Sequence, residues 1–456
     1  MGQRLSCRET HEHGFFTAVQ NGELETVEAM VDEDPSVLRF TAVHGKLSAL
    51  HVAAANGQIE ILCMLLDKGL NPDILNRHKQ TPLMLAAIHG KLSCVERLLQ
   101  AGANILMFDS LHGRTCLHYA GYYGHSDCLQ SILSAAHSAH VAQSWGFARY
   151  VNTRDGSGAT SLHLAARHRR AECVRLLLSN EALVCASTGG YGFCSYPGCT
   201  PLHLAARAGS LDCVRELLAW GADRLQRDAS GRLPYMIALK HKHEVCAALL
   251  NPSSPEPLTW PSPLKLITEL DAEAKGLLEN ALIDANKERE RKILKETGYT
   301  SPLHCDSDNE DFEVSDLDLC CICFEQACTI EIQKCGHQMC AHCTLALCCH
   351  NKPNPTKKCD KVPTCPFCRS SITQLVIAKN KTENKLEELS PSRSRMSRTS
   401  FNLAEDGCGG SESCGGSSSS SNNTFKVLSP LASFAKLGGR SSGKVTIDCI
   451  EGFNKP

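Results

Sequence analysis

Between Cys320 and Cys368 the chain places eight side chains with zinc-ligand chemistry in four close pairs. They run Cys320-x2-Cys323, eleven residues, Cys335-x-His337, two residues, Cys340-x2-Cys343, twenty-one residues, Cys365-x2-Cys368. Each pair holds its donors about one hydrogen-bonded turn apart, the reach that tetrahedral zinc needs from Cys sulfur and His nitrogen. Eight donors make two closed four-coordinate sites, so both ions are expected to be structural, with no open position for water or substrate. A segment so rich in Cys has too little apolar side-chain volume to fold on burial alone, and metal binding is expected to supply the difference. Cys321 lies beside Cys320 but lacks the two-residue gap to Cys323, so it reads as a non-ligand. Cys348, Cys349, His350 and Cys359 fall in the twenty-one-residue gap and read as spare donors in a long loop, or as part of a third site. Adjacency of Cys348 and Cys349 argues against the third site.

A chain of 456 residues is too long for one core and implies about three domains. Its net charge of −2 offers no broad footprint for nucleic acid, and no direct nucleic-acid partner is expected. No run of 18 apolar residues marks a membrane span, and no charged-then-apolar leader opens the chain, so an intracellular, cytoplasmic protein is expected. In that setting the 27 cysteines read as zinc ligands plus buried thiols rather than disulfides. The opening Met1-Gly2-Gln3-Arg4-Leu5-Ser6 fits an N-myristoylation pattern with Gly2 as acceptor. One acyl chain binds membranes only marginally, and Cys7 offers a second, palmitoylated anchor; the alternative is an unmodified N-terminus.

From Gly14 to about Asn251 the chain repeats itself. The core string, Thr-Pro-Leu-His-x-Ala-Ala followed by Gly and then Leu-Leu, recurs with its Leu at 50, 83, 117, 162 and 202. Degenerate copies place Phe15 and Tyr235 at that position before and after. A period near 33 with this motif resembles ankyrin repeats, which implies about seven units of a β-turn finger and two antiparallel helices stacked as a solenoid. Cys94, Cys128, Cys173, Cys213 and Cys246 share one repeat phase and read as buried packing thiols. His51, His118, His163 and His203 share another and read as hydrogen-bonded structural residues. Two longer spacings mark insertions, one around 139–149 with Trp145, Phe147 and Tyr150 nearby, the other around 188–198. Aromatic residues there are candidate anchors for a partner, or else tolerated surface insertions.

After the repeats comes a Pro-rich linker, 252–263, read as stiff. Residues 264–298 read as one helix, with Leu266, Leu270, Leu277, Ala281 and Leu282 on one face and Gly298 as C-cap, either packed on the last repeat or serving as a spacer. An acidic connector, 299–318, leads to the metal-ligand region at 319–370, and the Ser/Gly-rich stretch 378–456 reads as a disordered tail. The cluster Ser392–Arg398 in that tail suits nuclear import, anionic-lipid contact or a solvated phosphorylatable segment. The fold class is therefore mainly α: a repeat solenoid, a small zinc-bound domain and a tail.

The order C3HC4 resembles a RING finger. That resemblance implies an interleaved pairing, with Cys320, Cys323, Cys340 and Cys343 on one zinc and Cys335, His337, Cys365 and Cys368 on the other. It also implies contact with a ubiquitin-charged E2 enzyme through Ile322 in the first Cys pair, Pro366 in the last, and Arg369 just after it, in the string Cys-Pro-Phe-Cys-Arg. Many such ligases carry Trp where this chain has Leu347, which implies a smaller E2 contact. Ankyrin repeats before a C3HC4 RING, behind Met-Gly and Cys7, are similar to plant XBAT-type E3 ubiquitin ligases over residues 1 to about 377. The resemblance implies that repeats select a substrate protein while the RING brings charged E2 and ubiquitin, without a catalytic cysteine of its own. The alternative is a non-catalytic ankyrin scaffold with a structural RING.

Overall fold

The computed structural model describes residues 2–42, 45–137, 146–189, 196–298, 319–350 and 362–378, with side chains omitted for 2–10 and 350. All of them fall within one unit, Met1–Leu389. The acidic connector, Trp145, Cys359, Ser392–Arg398 and the rest of the C-terminal tail lie outside the described residues.

Seven helix pairs follow one another along the described chain. They are α1 (Gly2–Asn21) with α2 (Leu24–Glu33), α3 (Ala49–Asn56) with α4 (Ile59–Asp67), α5 (Pro82–His89) with α6 (Leu92–Gln100), and α7 (Cys116–Tyr123) with α8 (Ser126–His137). After the short α9 (Phe147–Val151) come α10 (Ser161–Arg167) with α11 (Ala171–Ser179), α12 (Pro201–Ala208) with α13 (Leu211–Ala219), and α14 (Pro234–Lys240) with α15 (Glu244–Leu250). Gly2 and Cys7, read as an acylation segment ahead of the repeats, fall inside α1, which runs on in backbone to Asn21 as the first repeat helix.

The repeat motif builds four of the first helices in the same way. Ser48, Thr115, Thr160 and Thr200 are extended N-caps, and His51, His118, His163 and His203 close a capping box on them. Each cap N–H donates to the His Nδ1 at 3.2 Å, which leaves the proton on Nε2. That Nε2–H then donates across to the next repeat, to the carbonyls of Gln80 (2.9 Å), Thr153 (3.1 Å), Cys199 (3.2 Å) and Arg232 (3.1 Å). The His column is thus a set of inter-repeat clasps. Gly57, Gly90, Gly124 and Gly209 end their helices in the left-handed region, which is why Gly recurs at that phase. The five phased cysteines are all buried in the core. Burial pushes the thiols of Cys94, Cys128 and Cys246 up to about 11 and that of Cys173 up to about 12.

The first insertion departs from expectation. Tyr150 is fully buried, with its hydroxyl 3.8 Å from Cys116 Sγ, and Phe147 is buried with its ring stacked on His137. Both extend the core of the fourth repeat rather than offering anchors at the surface. Hydrophobic character alone does not tell a core aromatic from an exposed one.

Residues 252–298 are also built differently from the expected linker and single helix. The Pro-rich segment lies on the last repeats: Arg224 donates to the carbonyls of Asn251 (3.0 Å) and Ser254 (2.7 Å), and Trp260 N–H donates to Ala219 O. The helix is two, α16 (Pro261–Leu266) and α17 (Ala272–Glu296). Asp271 breaks the run because its side chain caps α17, accepting from Ala274 N–H at 2.7 Å. Gly298, at φ +72°, follows the last turn in the left-handed conformation.

Candidate metal centre

The metal-ligand region is a three-stranded antiparallel sheet with one helix. Strand β1 (Ile330–Ile332) sits between β2 (Gln338–Met339) and β3 (Leu375–Ile377), and α18 (Ala341–His350) follows β2 directly. Because β3 pairs Leu375 with Ile332 and Ile377 with Ile330, the domain runs past the expected end at 370. Short strands with few large side chains leave the shape to be set at the turns between them.

Two of those turns share one geometry. Phe324 N–H donates to Cys320 O, and Arg369 N–H donates to Cys365 O, each at 2.8 Å. Phe324 and Arg369 both take the left-handed conformation, at φ +57° and +63°, an uncommon state for residues with a Cβ. Cys335 and Gly336 both donate to Ile332 O, and Gly336 adopts φ +68° without a Cβ penalty. The consequence is that each Cys-x2-Cys or Cys-x-His string presents both donors to one side.

Those donors converge in two groups. Cys320, Cys323, Cys340 and Cys343 form one, and Cys335, His337, Cys365 and Cys368 the other, with ligand atoms in each lying within 4.8 Å of one another. The first and third pairs therefore cross the second and fourth, the interleaved pairing that the RING resemblance implies. Four sulfurs about 2.3 Å from a tetrahedral ion would sit about 3.8 Å apart, and Cys323 Sγ and Cys340 Sγ are separated by 3.8 Å. His337 Nδ1 is buried without a hydrogen-bond partner. An orphaned imidazole lone pair beside three thiols is the vacant valence a zinc ion would fill. The donor set fits two zinc ions.

The surroundings favour thiolates at two of these positions. Burial raises the Cys320 thiol, but the N–H groups of Cys340, Cys323 and Ile322 outweigh it and bring it down to about 7. The Ser370 hydroxyl and N–H beside the exposed Cys368 lower that thiol to about 6. Cys321 is exposed and belongs to neither group. Cys348 is buried in α18 as a packing residue, Cys349 is half-buried, and neither joins a ligand group among the described residues.

The exposed knuckles carry the residues expected to meet E2. Ile322, Pro366 and Arg369 are all exposed. Leu347 is instead half-buried against a cluster inside the protein, which leaves less of it for a partner. Two aromatic residues join the exposed set without having been singled out: Phe324, 71% exposed, and Phe367, 43% exposed with its ring stacked on His337. Their signal in the sequence is position. A large apolar side chain on a metal knuckle has no core beneath it to fill.

The cluster that covers Leu347 also settles how the metal-ligand domain is mounted. Trp260, Leu264, Ile267, Leu270, Leu278 and Leu282 pack with Ile330, Met339, Leu345, Ile372 and Leu375 as one core. Farther along α17, Ile293 packs with Ala248 and Leu249 of the last repeat, and Glu290 accepts from Arg215 of the sixth at 2.9–3.0 Å. One helix thus touches both halves.

A solenoid of helix pairs clasped by His and a cross-braced pair of zinc-ligand groups together define an ankyrin-repeat RING-finger protein. A family model for the E3 ubiquitin-protein ligase XB3/XBAT31 RING finger matches residues 319–374, and one for ankyrin repeats matches in three copies, 50–144, 108–188 and 182–257. The chain is 58% identical to the E3 ubiquitin-protein ligase XB3 of Oryza sativa subsp. japonica, over 100% of this chain and 99% of that one. It is 57% identical to the XBAT31 protein of Arabidopsis thaliana over 98% of both chains, and 32% identical to the E3 ubiquitin-protein ligase XBAT33 of the same plant over 82% of this chain and 71% of that one. The chain belongs to the XB3/XBAT31 family of ankyrin-repeat RING-finger E3 ubiquitin-protein ligases.

Proposed function

We propose that this chain is a RING-type E3 ubiquitin ligase in which the repeats hold a substrate protein and the RING holds ubiquitin-charged E2. The observation that carries the reading is the crossed pair of ligand groups within a chain alike in full length to XB3. Zinc in those groups supplies a rigid cross-link and no open coordination position. The protein's own contribution is positional. Ile322, Phe324 and Pro366 offer apolar contact to the E2, and Arg369, on the last knuckle, donates hydrogen bonds to carbonyls of E2 and ubiquitin together. Holding the thioester in one reactive conformer lets a substrate lysine amine attack its carbonyl; an isopeptide bond forms and the E2 thiolate leaves. With Leu347 turned partly inward, the knuckle residues carry more of the E2 contact.

Autoubiquitination of the full chain with E1, a panel of E2 enzymes and ubiquitin tests this. Ile322→Ala removes an apolar contact without touching a ligand, and ligase activity should fall while zinc content and helical melting stay unchanged. Activity equal to wild type across the panel would count against the RING as an E2 platform and favour the scaffold reading.

The N-terminal acylation reading concerns where the enzyme works. Gly2 as a myristate acceptor and Cys7 as a second acylated residue give membrane association of an otherwise cytoplasmic protein, with the basic cluster in the tail suiting nuclear entry. The motif at Met1–Ser6 supports it. Gly2→Ala and Cys7→Ser should each move the protein from the membrane fraction to the soluble one. A wholly soluble wild-type protein in its own cell type would sink the idea and leave the ligase reading untouched.

A further inference from the structure

The repeats are not electrostatically uniform along their length. Five residues after the motif Phe, Leu or Tyr, near the end of each first helix, the chain reads Gln20, Ala55, Ile88, Tyr122, Arg167, Arg207, Lys240. The column changes from neutral to cationic halfway along. Ring and cation contacts join much of its second half. The Arg114 guanidinium lies 4.9 Å from the centre of the Tyr122 ring, and the Tyr122 ring lies 3.9 Å from that of His168. Next to His168, Arg167 stands over the Tyr196 ring at 5.0 Å, and Arg207 stands over the same ring at 4.5 Å. His241 caps the following first helix beside Lys240.

Two features of this track leave polar groups unmatched within the protein. Arg114 is paired with Asp155 at 3.3 Å, but among the described residues neither Arg167 nor Arg207 has a carboxylate within ion-pair distance. In addition, His168 Nε2 and His241 Nε2 are buried with no hydrogen-bond partner. Burial, with Arg167, Arg114 and Arg170 around it, lowers His168 to about 4, and nothing anionic is among the causes. A cation in the last turn of a helix is favourable for the helix dipole alone, which accounts for one basic residue per helix. It does not account for two guanidinium groups from different repeats converging on one tyrosine.

We infer that the face running from Arg114 through Tyr122, Arg167, Tyr196 and Arg207 to His241 docks an acidic segment of a protein substrate. The proposal rests on the ligase reading for the word substrate, and on the geometry for the word acidic. Arg167 and Arg207 are forks that take carboxylates in two parallel hydrogen bonds, and the tyrosine faces between them hold the guanidinium planes in place. Stacked repeats advance by about 10 Å, and an extended peptide by about 3.3 Å per residue. An acidic residue about every third position over about 12 residues therefore meets successive repeats.

The test uses the full chain and two fluorescein-labelled peptides about 12 residues long, one with Glu at every third position and one with Gln in those places. Fluorescence anisotropy should show the Glu peptide binding about tenfold or more tighter, weakening as salt is raised. Arg167→Glu with Arg207→Glu should weaken the Glu peptide by about tenfold or more and leave the Gln peptide unaffected. Arg167→Gln with Arg207→Gln keeps the side-chain stems on Tyr196, so it should fold like wild type by helical melting and still lose Glu-peptide affinity. Equal binding of the two peptides, or no loss in the folded Gln variant, overturns the proposal. So does a single-stranded oligonucleotide that outcompetes the Glu peptide, which would make the track a nucleic-acid surface. Autoubiquitination by the same wild-type preparation separates the two readings. Its absence with Glu-peptide selectivity intact would sink the ligase reading and leave an acidic-segment docking face; its presence without selectivity would sink only the docking face.

Discussion

Seven stacked helix pairs bury apolar side chains at recurring phases, with Cys at one of them in five repeats, whereas the described part of residues 319–377 buries few large side chains and gathers eight ligand atoms in two groups. The solenoid distributes its stability over many similar contacts between neighbours, so losing one contact weakens it locally. The RING concentrates its stability in two points. What joins these opposite designs is α17, whose N-terminal half shares a core with the RING and whose C-terminal half is pinned to the sixth and seventh repeats.

The largest expected effect comes from breaking the metal half alone. Structural zinc contributes on the order of 10 kcal/mol per site. Cys335→Ser, or a strong chelator, should empty at least one site, displace Pro366 and Arg369 on the last knuckle, and abolish ligase activity. Zinc analysis should find two ions per wild-type chain. Far-UV circular dichroism should retain a cooperative helical melt from the first five repeats, which share no core with the RING. Only the α16–α17 region, packed on the RING, should loosen. A melt that collapses as a whole on chelation would show that the two halves are one cooperative unit.

A smaller effect breaks the solenoid half and spares zinc ligation as its cause. Burial, foremost, lowers His118 and His163 to about 4, from about 6.5 in an unfolded chain. The unfolded state therefore takes up protons first as pH falls. Stability from these two residues is complete above about pH 6.5 and is lost progressively down to about pH 4, roughly 3 kcal/mol for each. Urea midpoints of the helical signal at pH 7 and at pH 4.5 measure this. His118→Gln, which cannot titrate, should flatten the pH dependence; an unchanged slope would mean that other groups carry it.

How much of this could be read from the sequence follows from the same contrast. The repeat phase, the His and Cys columns and the eight ligand positions were all legible, because in each case spacing is the physical constraint. Which pairs share an ion came from the RING resemblance, since spacing along a chain does not say how pairs cross in space. The break before α17 was hidden because Leu266, Leu270, Leu277 and Leu282 continue a helical period across it, even though Asp271 is a good N-cap. Periodicity also says that a face is buried without saying against what. That is why the sequence of 264–298 does not choose between packing on the last repeat and serving as a spacer, when it packs on both the last repeat and the RING, and why Tyr150 reads as a partner anchor or a surface insertion when it is core. The cationic track was missed for another reason: a net charge of −2 averages over the whole chain, and Arg167 and Arg207 come together over Tyr196 only once the repeats are stacked.

The smallest expected effect sharpens the comparison at the joint itself. Glu290 is nearly buried, with a side-chain exposure of 12%, and accepts from Arg215, whose side chain is 47% exposed. Removing the arginine leaves a carboxylate at the helix–repeat interface without its main partner, which for a fully buried pair costs several kcal/mol. Here the exposed side of Arg215 already shares its charge with water and with Asp212 at 3.2 Å, so the cost should be nearer 1 kcal/mol. Arg215→Ala should therefore lower the protection of amides in the C-terminal half of α17 against hydrogen exchange, without altering zinc content or the main melt. Glu290→Gln keeps an acceptor for Arg215 and removes the buried charge, so its effect on those amides should be weaker. If protection is the same in Arg215→Ala as in wild type, the apolar contacts of Ile293 with Ala248 and Leu249 hold the helix by themselves. If protection is lost along the entire helix, including the half packed on the RING, then α17 moves as one rigid body and the ion pair sets how the RING is carried on the repeats.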